Sequence, residues 1–270
     1  MKHLYRTLTW PEVRERAEQG AVIVIGVAAI EQHGPHLPID VDNVLVEHVT
    51  EEAARRSDGL ILTAPMIHYG FNEHNMGFPG TITVRETVFM DYVYDVAHSF
   101  VRQGFDRIVL INGHGSNQML CNLVARRIVN TTKAFCTAAA HWWLAKPAVD
   151  RLRESKFPGG MAHACEFETA MYMHLQPELV KHHEIGTREA PSTINEFLFD
   201  DLFGSGPMHF VNRWSRISES GVEGDPNLAT PEKGREFAEC SIENLIKFCR
   251  LFREMKVQPE RDFNYQNPNL

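Results

Sequence analysis

The chain has 270 residues, 43% hydrophobic and 23% charged, with a formal net charge of −8. That is the composition of an ordinary soluble globular protein, and its acid excess argues against a phosphate-backbone binder, so nucleic acid is not an expected partner. The longest apolar stretch, Ala21 to Ile30, is about half of the ~20 residues that cross a bilayer, so no membrane partner is expected either. In chain order, apolar runs at Ala21 to Ala29, Leu60 to Ala64, Arg107 to Asn112 and Ala134 to Ala140 read as strands. Helical periods lie between them, at Asn43 to Arg56, Glu86 to Gln103 and Asn117 to Asn130. This alternation predicts an α/β fold on a mainly parallel sheet. Beyond it, Ala145 to Ser155, Cys165 to Leu175 and Pro231 to Met255 read as helices, the last with Pro near its first turn. Lys181 to Asn227 keeps no period beyond the apolar patch Glu196 to Phe203, and is expected to be a long irregular excursion.

No linker or internal repeat divides the sequence, and a core can still grow as one unit at this length, so a single domain over 1–270 is expected. The N-terminus has no apolar run behind it, so a signal peptide is not expected. Five cysteines, Cys121, Cys136, Cys165, Cys240 and Cys249, form no C-x-x-C pair and read as free thiols in a reducing cytoplasm.

The chemistry-bearing residues cluster after predicted strands. Glu31-Gln-His33-Gly-Pro-His36 follows the first strand, with Asp40-Val-Asp42 close behind. Glu31 and His33, two apart in an extended segment, leave on one face, and the Gly/Pro turn can fold Asp42 back toward them. Two acids and an imidazole at a strand's C-terminal end make half of a divalent-metal site. Either histidine alone reads as an ordinary loop residue; in this company His33 is the candidate ligand and His36 its orienting neighbour. Asn112-Gly-His114-Gly-Ser116-Asn117 ends the third strand. It lacks the Gly-Lys-Ser/Thr of a phosphate loop, and its glycines instead let the backbone turn tightly around His114. His163-Ala-Cys165-Glu166-Phe-Glu168-Thr169 opens a helix. There His163 and Glu166 are expected on one helical face with Glu168 turned well away, its charge suited to the helix dipole. Two further candidates for a pocket wall are Tyr69-Gly-Phe-Asn-Glu73-His74, followed by Phe78-Pro-Gly-Thr81, and His141-Trp142-Trp143. A plain surface turn and a core tryptophan pair are their alternatives.

Together these segments resemble the creatininase (creatinine amidohydrolase) family, whose pattern runs E-Q-H-G-x-H-L-P…D, then N-G-H-x-x-N, then H-A-G-E-x-E-T. The resemblance extends from about Trp10 to the closing helix and includes Phe78-Pro-Gly-Thr81 and Gly221-Val-Glu-Gly-Asp225-Pro. It implies a Rossmann-like three-layer αβα fold, a dinuclear hydrolase with two Zn²⁺ or Mn²⁺ ions, and a homohexamer. Carried onto matching positions, Glu31 and His114 would hold one metal, His33 the other, and Asp42 would bridge them. Creatininase places a glutamate where this chain has Ser116, and the H-A-G-E branch implies Glu166 as its replacement. Cys165 stands where that branch has Gly and is given no ligand role. His163 matches the proton-transferring histidine, and Trp142 an aromatic of the creatinine pocket. Creatininase carries a Trp and a Glu shortly before its catalytic histidine, where this chain has Gly159-Gly-Met-Ala162, so the H-A-G-E branch fits better than creatininase itself.

The expected mechanism is attack of a metal-bridging hydroxide on a carbonyl of a small polar substrate, with His163 protonating the leaving atom. Trp142, His74 and Phe78 would position that substrate, and His36 and Glu168 would support the ligands. C–N hydrolysis of a cyclic amide or formamide is the expected reaction. The alternatives are hydrolytic ring opening of a cyclic polyol ketone and, outside enzymes, a non-catalytic metal-binding α/β protein.

Overall fold

A computed structural model of the chain describes residues 1–186, 194–208, 211–259 and 261. Among the described residues the central sheet has four strands, β1 (Val22–Val27), β2 (Ile61–Thr63), β3 (Arg107–Asn112) and β4 (Phe135–Ala140), in the order β2-β1-β3-β4. All three pairings are parallel, with Val24 opposite Thr63 and Val109, and Val109 opposite Thr137. The parallel α/β expectation is met.

Every residue of β1 is buried, because helices cover both faces. Period-two alternation sorts its side chains. Val22 and Val24 join one core with α2 (Val41–Arg56), α7 (Glu166–Leu175) and α8 (Pro231–Glu254). Ile23, Ile25 and Val27 join the other with α3 (Glu86–Arg102) and α4 (Asn117–Thr131). The architecture is therefore the expected three-layer sandwich.

The first helix, α1 (Trp10–Glu18), escaped the periodicity reading, although its start is marked: Pro11 opens it and Glu12 accepts the backbone N–H of Thr9 at 2.7 Å. A short helix, α5 (His141–Leu144), precedes the helix expected over 145–155, which is α6 (Lys146–Leu152). Its end comes early because the N–H groups of Glu154 and Ser155 turn to the Glu166 carboxylate, at 3.2 and 2.9 Å.

The excursion expected over Lys181 to Asn227 includes 187–193 and 209–210, outside the described residues. Its described part holds β6 (Asp200–Asp201), paired antiparallel with β7 (Gly204–Ser205), and β8 (Glu223–Gly224). The last pairs with β5 (Met161–His163), setting Glu223 opposite His163. No helix among the described residues is long and apolar enough to cross a membrane.

Candidate metal centre

The strand order reverses direction between β1 and β3, and the crevice outside the carboxyl ends of those neighbouring strands is where such sheets hold ligands. Glu31 and His33 follow β1, and His114 follows β3. The loop after β1 folds back as Glu31 N–H donates to the Ile39 carbonyl at 3.0 Å, which delivers Asp42 to the first turn of α2. Gly113 then lets α2 approach, since a Cβ there would stand 2.6 Å from Val46 and 2.8 Å from the Asp42 carbonyl. Asn112 pins His114 from both sides, accepting its N–H at 3.0 Å and donating to its carbonyl at 2.7 Å.

The result is a fully buried set of facing acids and imidazoles. His114 Nδ1 is 2.8 Å from Glu31 Oε1 and 3.3 Å from Asp42 Oδ2. His33 Nε2 is 3.3 Å from Asp42 Oδ1 and 3.9 Å from Glu168 Oε1. His163 Nδ1 is 3.8 Å from Glu31 Oε1. Each imidazole spends its other nitrogen on a backbone carbonyl: His33 Nδ1 on Glu31 at 3.3 Å, His114 Nε2 on Phe71 at 3.1 Å, His163 Nε2 on Gln32 at 2.7 Å. Those contacts orient the three rings and leave His33 Nε2, His114 Nδ1 and His163 Nδ1 facing the carboxylates, where they can hold a proton or a cation. His33 Nε2 and Asp42 Oδ2 are buried with no hydrogen-bond partner. Three overlapping groups have ligand atoms within 4.8 Å of one another: Glu31, His33 and His163; Glu31, Asp42 and His114; His33, Asp42 and Glu168.

Without a cation these groups perturb one another. Burial disfavours the His33 imidazolium, but Asp42, then Glu168 and Glu31, outweigh it and raise the pKa to about 9. His114 is likewise raised, burial being overcome by Glu31 and Asp42. Burial would lift the Glu31 carboxyl, yet His114, His163 and His33 hold it well below the ordinary range. Glu168 rises to about 7 because burial outweighs its attraction to His33. Burial, reinforced by His33, lowers His163 to about 4 and keeps it neutral.

Glu166 and Glu168 exchange the places expected of them. Glu166 does not reach the cluster: its Oε1 accepts from Lys233 Nζ at 2.6 Å, and its carboxylate takes the N–H groups of Glu154 and Ser155. Glu168 is the acid facing His33. The error lies in the helical phase. His163 belongs to β5, Ala164 adopts a left-handed φ of 49°, and α7 begins only at Glu166, so His163 and Glu166 never share a helix face. Glu168 does stand opposite Glu166 on α7, as expected, and that is what turns it toward His33.

The remaining expected residues divide. His36 is buried, its Nε2 2.9 Å from Thr169 Oγ1, and burial, then the charge of nearby His33, lowers its pKa to about 4. His74 stacks on His114 with centroids 5.9 Å apart, its Nε2 3.3 Å from Ser116 Oγ. Phe78 is half-buried at the end of the same turn, its N–H on the Asn75 carbonyl. Trp142 is expected at a pocket wall but packs in the core beside His141, 6% exposed. Three other residues, not among the expected ones, touch the cluster. Asn75 donates to Glu31 Oε2, Gln32 lies against His163, and Trp214 meets both His163 and His74. Trp214 left no signal because it sits in a segment without period.

The sequence model of the creatininase family, described as creatinine amidohydrolase, matches residues 6–249. The chain belongs to the creatininase family. It is thereby a metal-dependent hydrolase, and its relatives extend beyond creatininase itself. A 3-dehydro-scyllo-inosose hydrolase of Thermotoga maritima is 29% identical over 91% of this chain and 82% of its own length. A creatinine amidohydrolase of Pseudomonas putida is 28% identical over 90% and 94%. Among solved structures, a mutant creatininase of Zn-Zn type superposes with a TM-score of 0.76 at 26% identity, covering 93% of this chain and 98% of that one.

Proposed function

We propose that this protein is a dinuclear hydrolase acting on a carbonyl of a small polar substrate, with C–N cleavage of a cyclic amide or formamide as its reaction. The observation that carries the reading is Asp42. Its two oxygens face two different histidines, His33 and His114, each 3.3 Å away, which suits a carboxylate bridging two cations. The orphaned His33 Nε2 and Asp42 Oδ2, buried among carboxylates, fit divalent ions of the Zn²⁺ or Mn²⁺ kind. Glu31 and His114 would hold one ion, His33 and Glu168 the other.

When bound, such ions lower the pKa of water and polarise a carbonyl. The chain's own part centres on His163. Its Nε2–H stays on the Gln32 carbonyl while Nδ1 faces the cluster, and burial keeps the ring neutral. It therefore accepts a proton at Nδ1 from the attacking water and returns it to the leaving atom. Buried Asn75 steadies Glu31, and Thr169 and His36 back the His33 side.

A second reading, hydrolytic ring opening of a cyclic polyol ketone, draws on the likeness to the inosose hydrolase. The chain's five free cysteines suit a cytoplasmic protein. A single catalytic domain and a hexamer, as the family resemblance implies, complete the proposal.

Metal analysis of purified protein, with turnover of creatinine, formamides, cyclic amides and keto-inositols before and after chelation, tests it. Two ions per chain and chelator-sensitive turnover of one class are expected. Protein without bound metal or recoverable turnover would point instead to a non-catalytic α/β binding protein. His163→Ala should keep both ions and lose turnover.

A further inference from the structure

The short turn Trp214–Arg216 brings an indole onto the ligand cluster from a distant part of the chain. Its ring centroid lies 4.8 Å from that of His163 and 5.9 Å from that of His74, nearly perpendicular to both. One side chain thus spans from the imidazole beside Glu31 to the imidazole stacked on His114.

Trp214 is fixed there rather than loosely laid on the surface. Its Nε1–H donates to the Gly221 carbonyl at 2.8 Å, and Gln32 Nε2 donates to the same carbonyl at 3.0 Å. The backbone carbonyl of Gln32 in turn accepts a hydrogen bond from His163 Nε2–H at 2.7 Å. Gly221 is obligatory in this chain of contacts, with φ at +90° and a Cβ that would fall 1.9 Å from Gln32 Oε1. The turn also seats on the 73–78 loop, where a Cβ at Gly77 would stand 3.1 Å from Ser215 Oγ. Ser116, 3.3 Å from His74, adds a hydroxyl beside the two imidazoles and the indole.

We propose that Trp214, His74 and Ser116 form the specificity subsite, receiving the ring of a cyclic polar substrate whose carbonyl faces the ligand cluster. An indole offers a large rigid surface at small entropic cost, suited to a planar lactam or to the C–H face of a polyol ring. His74 and Ser116 supply hydrogen bonds to the ring's polar edge. An acyclic formamide has no ring to lay there. The inference rests on the hydrolase reading and narrows it to ring substrates.

The test uses the metal-loaded full chain. Trp214→Ala should raise KM for the ring compound that the wild type turns over by about tenfold, while kcat changes by less than about threefold. Metal content should not change, Trp214→Phe should recover most of the loss, and KM for an acyclic formamide should move little. Titration with the same ring compound should alter wild-type tryptophan fluorescence but not that of Trp214→Phe. Equal losses on ring and acyclic substrates, a loss confined to kcat, or an unchanged KM would each overturn the subsite. So would a wild type whose fluorescence is blind to every ring compound in the panel. Failure to bind metal or turn over any substrate sinks the hydrolase reading instead, and the fluorescence titration then decides the subsite alone.

Discussion

Two glutamates on the first turn of α7 sit back to back in the same buried region with opposite fates. Glu166 meets Lys233, which also reaches Glu154 at 2.6 Å and the Leu228 carbonyl at 2.8 Å. Every charge in that cluster finds its partner within the chain. Glu168 meets His33 and Asp42, where the nearest polar atoms are 3.3 to 3.9 Å apart and two of them are orphaned. Buried charge is retained only when paired. One cluster carries its own cation and the other, on the proposed reading, takes up a metal ion in place of one, so the same residue type two positions apart would serve architecture in one case and chemistry in the other.

The sharpest way to break this contrast is to remove the shared acid. Asp42→Ala should empty both cation positions and lower turnover by about a thousandfold or more, several kcal/mol of transition-state stabilisation. Elemental analysis alongside kinetics checks it, and retention of both ions would contradict the bridging role. On the other side of α7, Lys233→Met strands the Glu166 charge. Denaturant unfolding should show a loss of about 3–5 kcal/mol while folded protein keeps its metal. The paired variants sharpen the contrast further: Glu166→Gln should lose stability and keep metal, whereas Glu168→Gln should lose metal from the His33 side. Because burial already lifts Glu168 to about 7, the neutral amide should leave chelated protein at least as stable above that pH.

Acidity separates the clusters in a second way. In chelated protein the pKa of His33 is raised to about 9, above its ordinary value. The stability this contributes is fully present below about pH 6.5 and is lost as pH rises through about 9. Chelated protein should therefore unfold at lower denaturant concentration at pH 9 than at pH 7. Loading with Zn²⁺ should remove most of that difference, since the cation replaces the proton. A chelated protein equally stable at both values would count against the raised His33.

Much of this arrangement was legible because it is local. Glu31, His33, Asp42 and His114 lie just beyond apolar strands, and period-two patterning places them at adjacent sheet ends. The limits of β3 coincide with its apolar run. What local patterning lacked was phase and reach. Whether Glu166 or Glu168 faces His33 depends on where α7 begins, and Ala164, a residue with no left-handed preference, resets that count. Trp214 reaches His163 from 51 positions away through Gly221 and Gln32, contacts that no period encodes. Trp142 misled because a tryptophan after a strand fits a core as well as a wall.

The smallest effect concerns the support behind His33. Thr169 Oγ1 stands 2.9 Å from His36 Nε2, and it comes from the same helix as Glu168, one residue on. His36 is fully buried, and its other nitrogen has no hydrogen-bond partner. Thr169→Val keeps the shape and removes the hydroxyl, so it should lower stability by about 1 kcal/mol. A spacer would show nothing more. A support that orients the His33 and Glu168 side should also weaken metal affinity there, by about tenfold, while the Glu31 and His114 side keeps its affinity. Competitive chelator titration resolving two binding steps separates these outcomes: a shift in only the step that Glu168→Gln also weakens locates the effect on the His33 side, and unchanged steps would reduce Thr169 to packing.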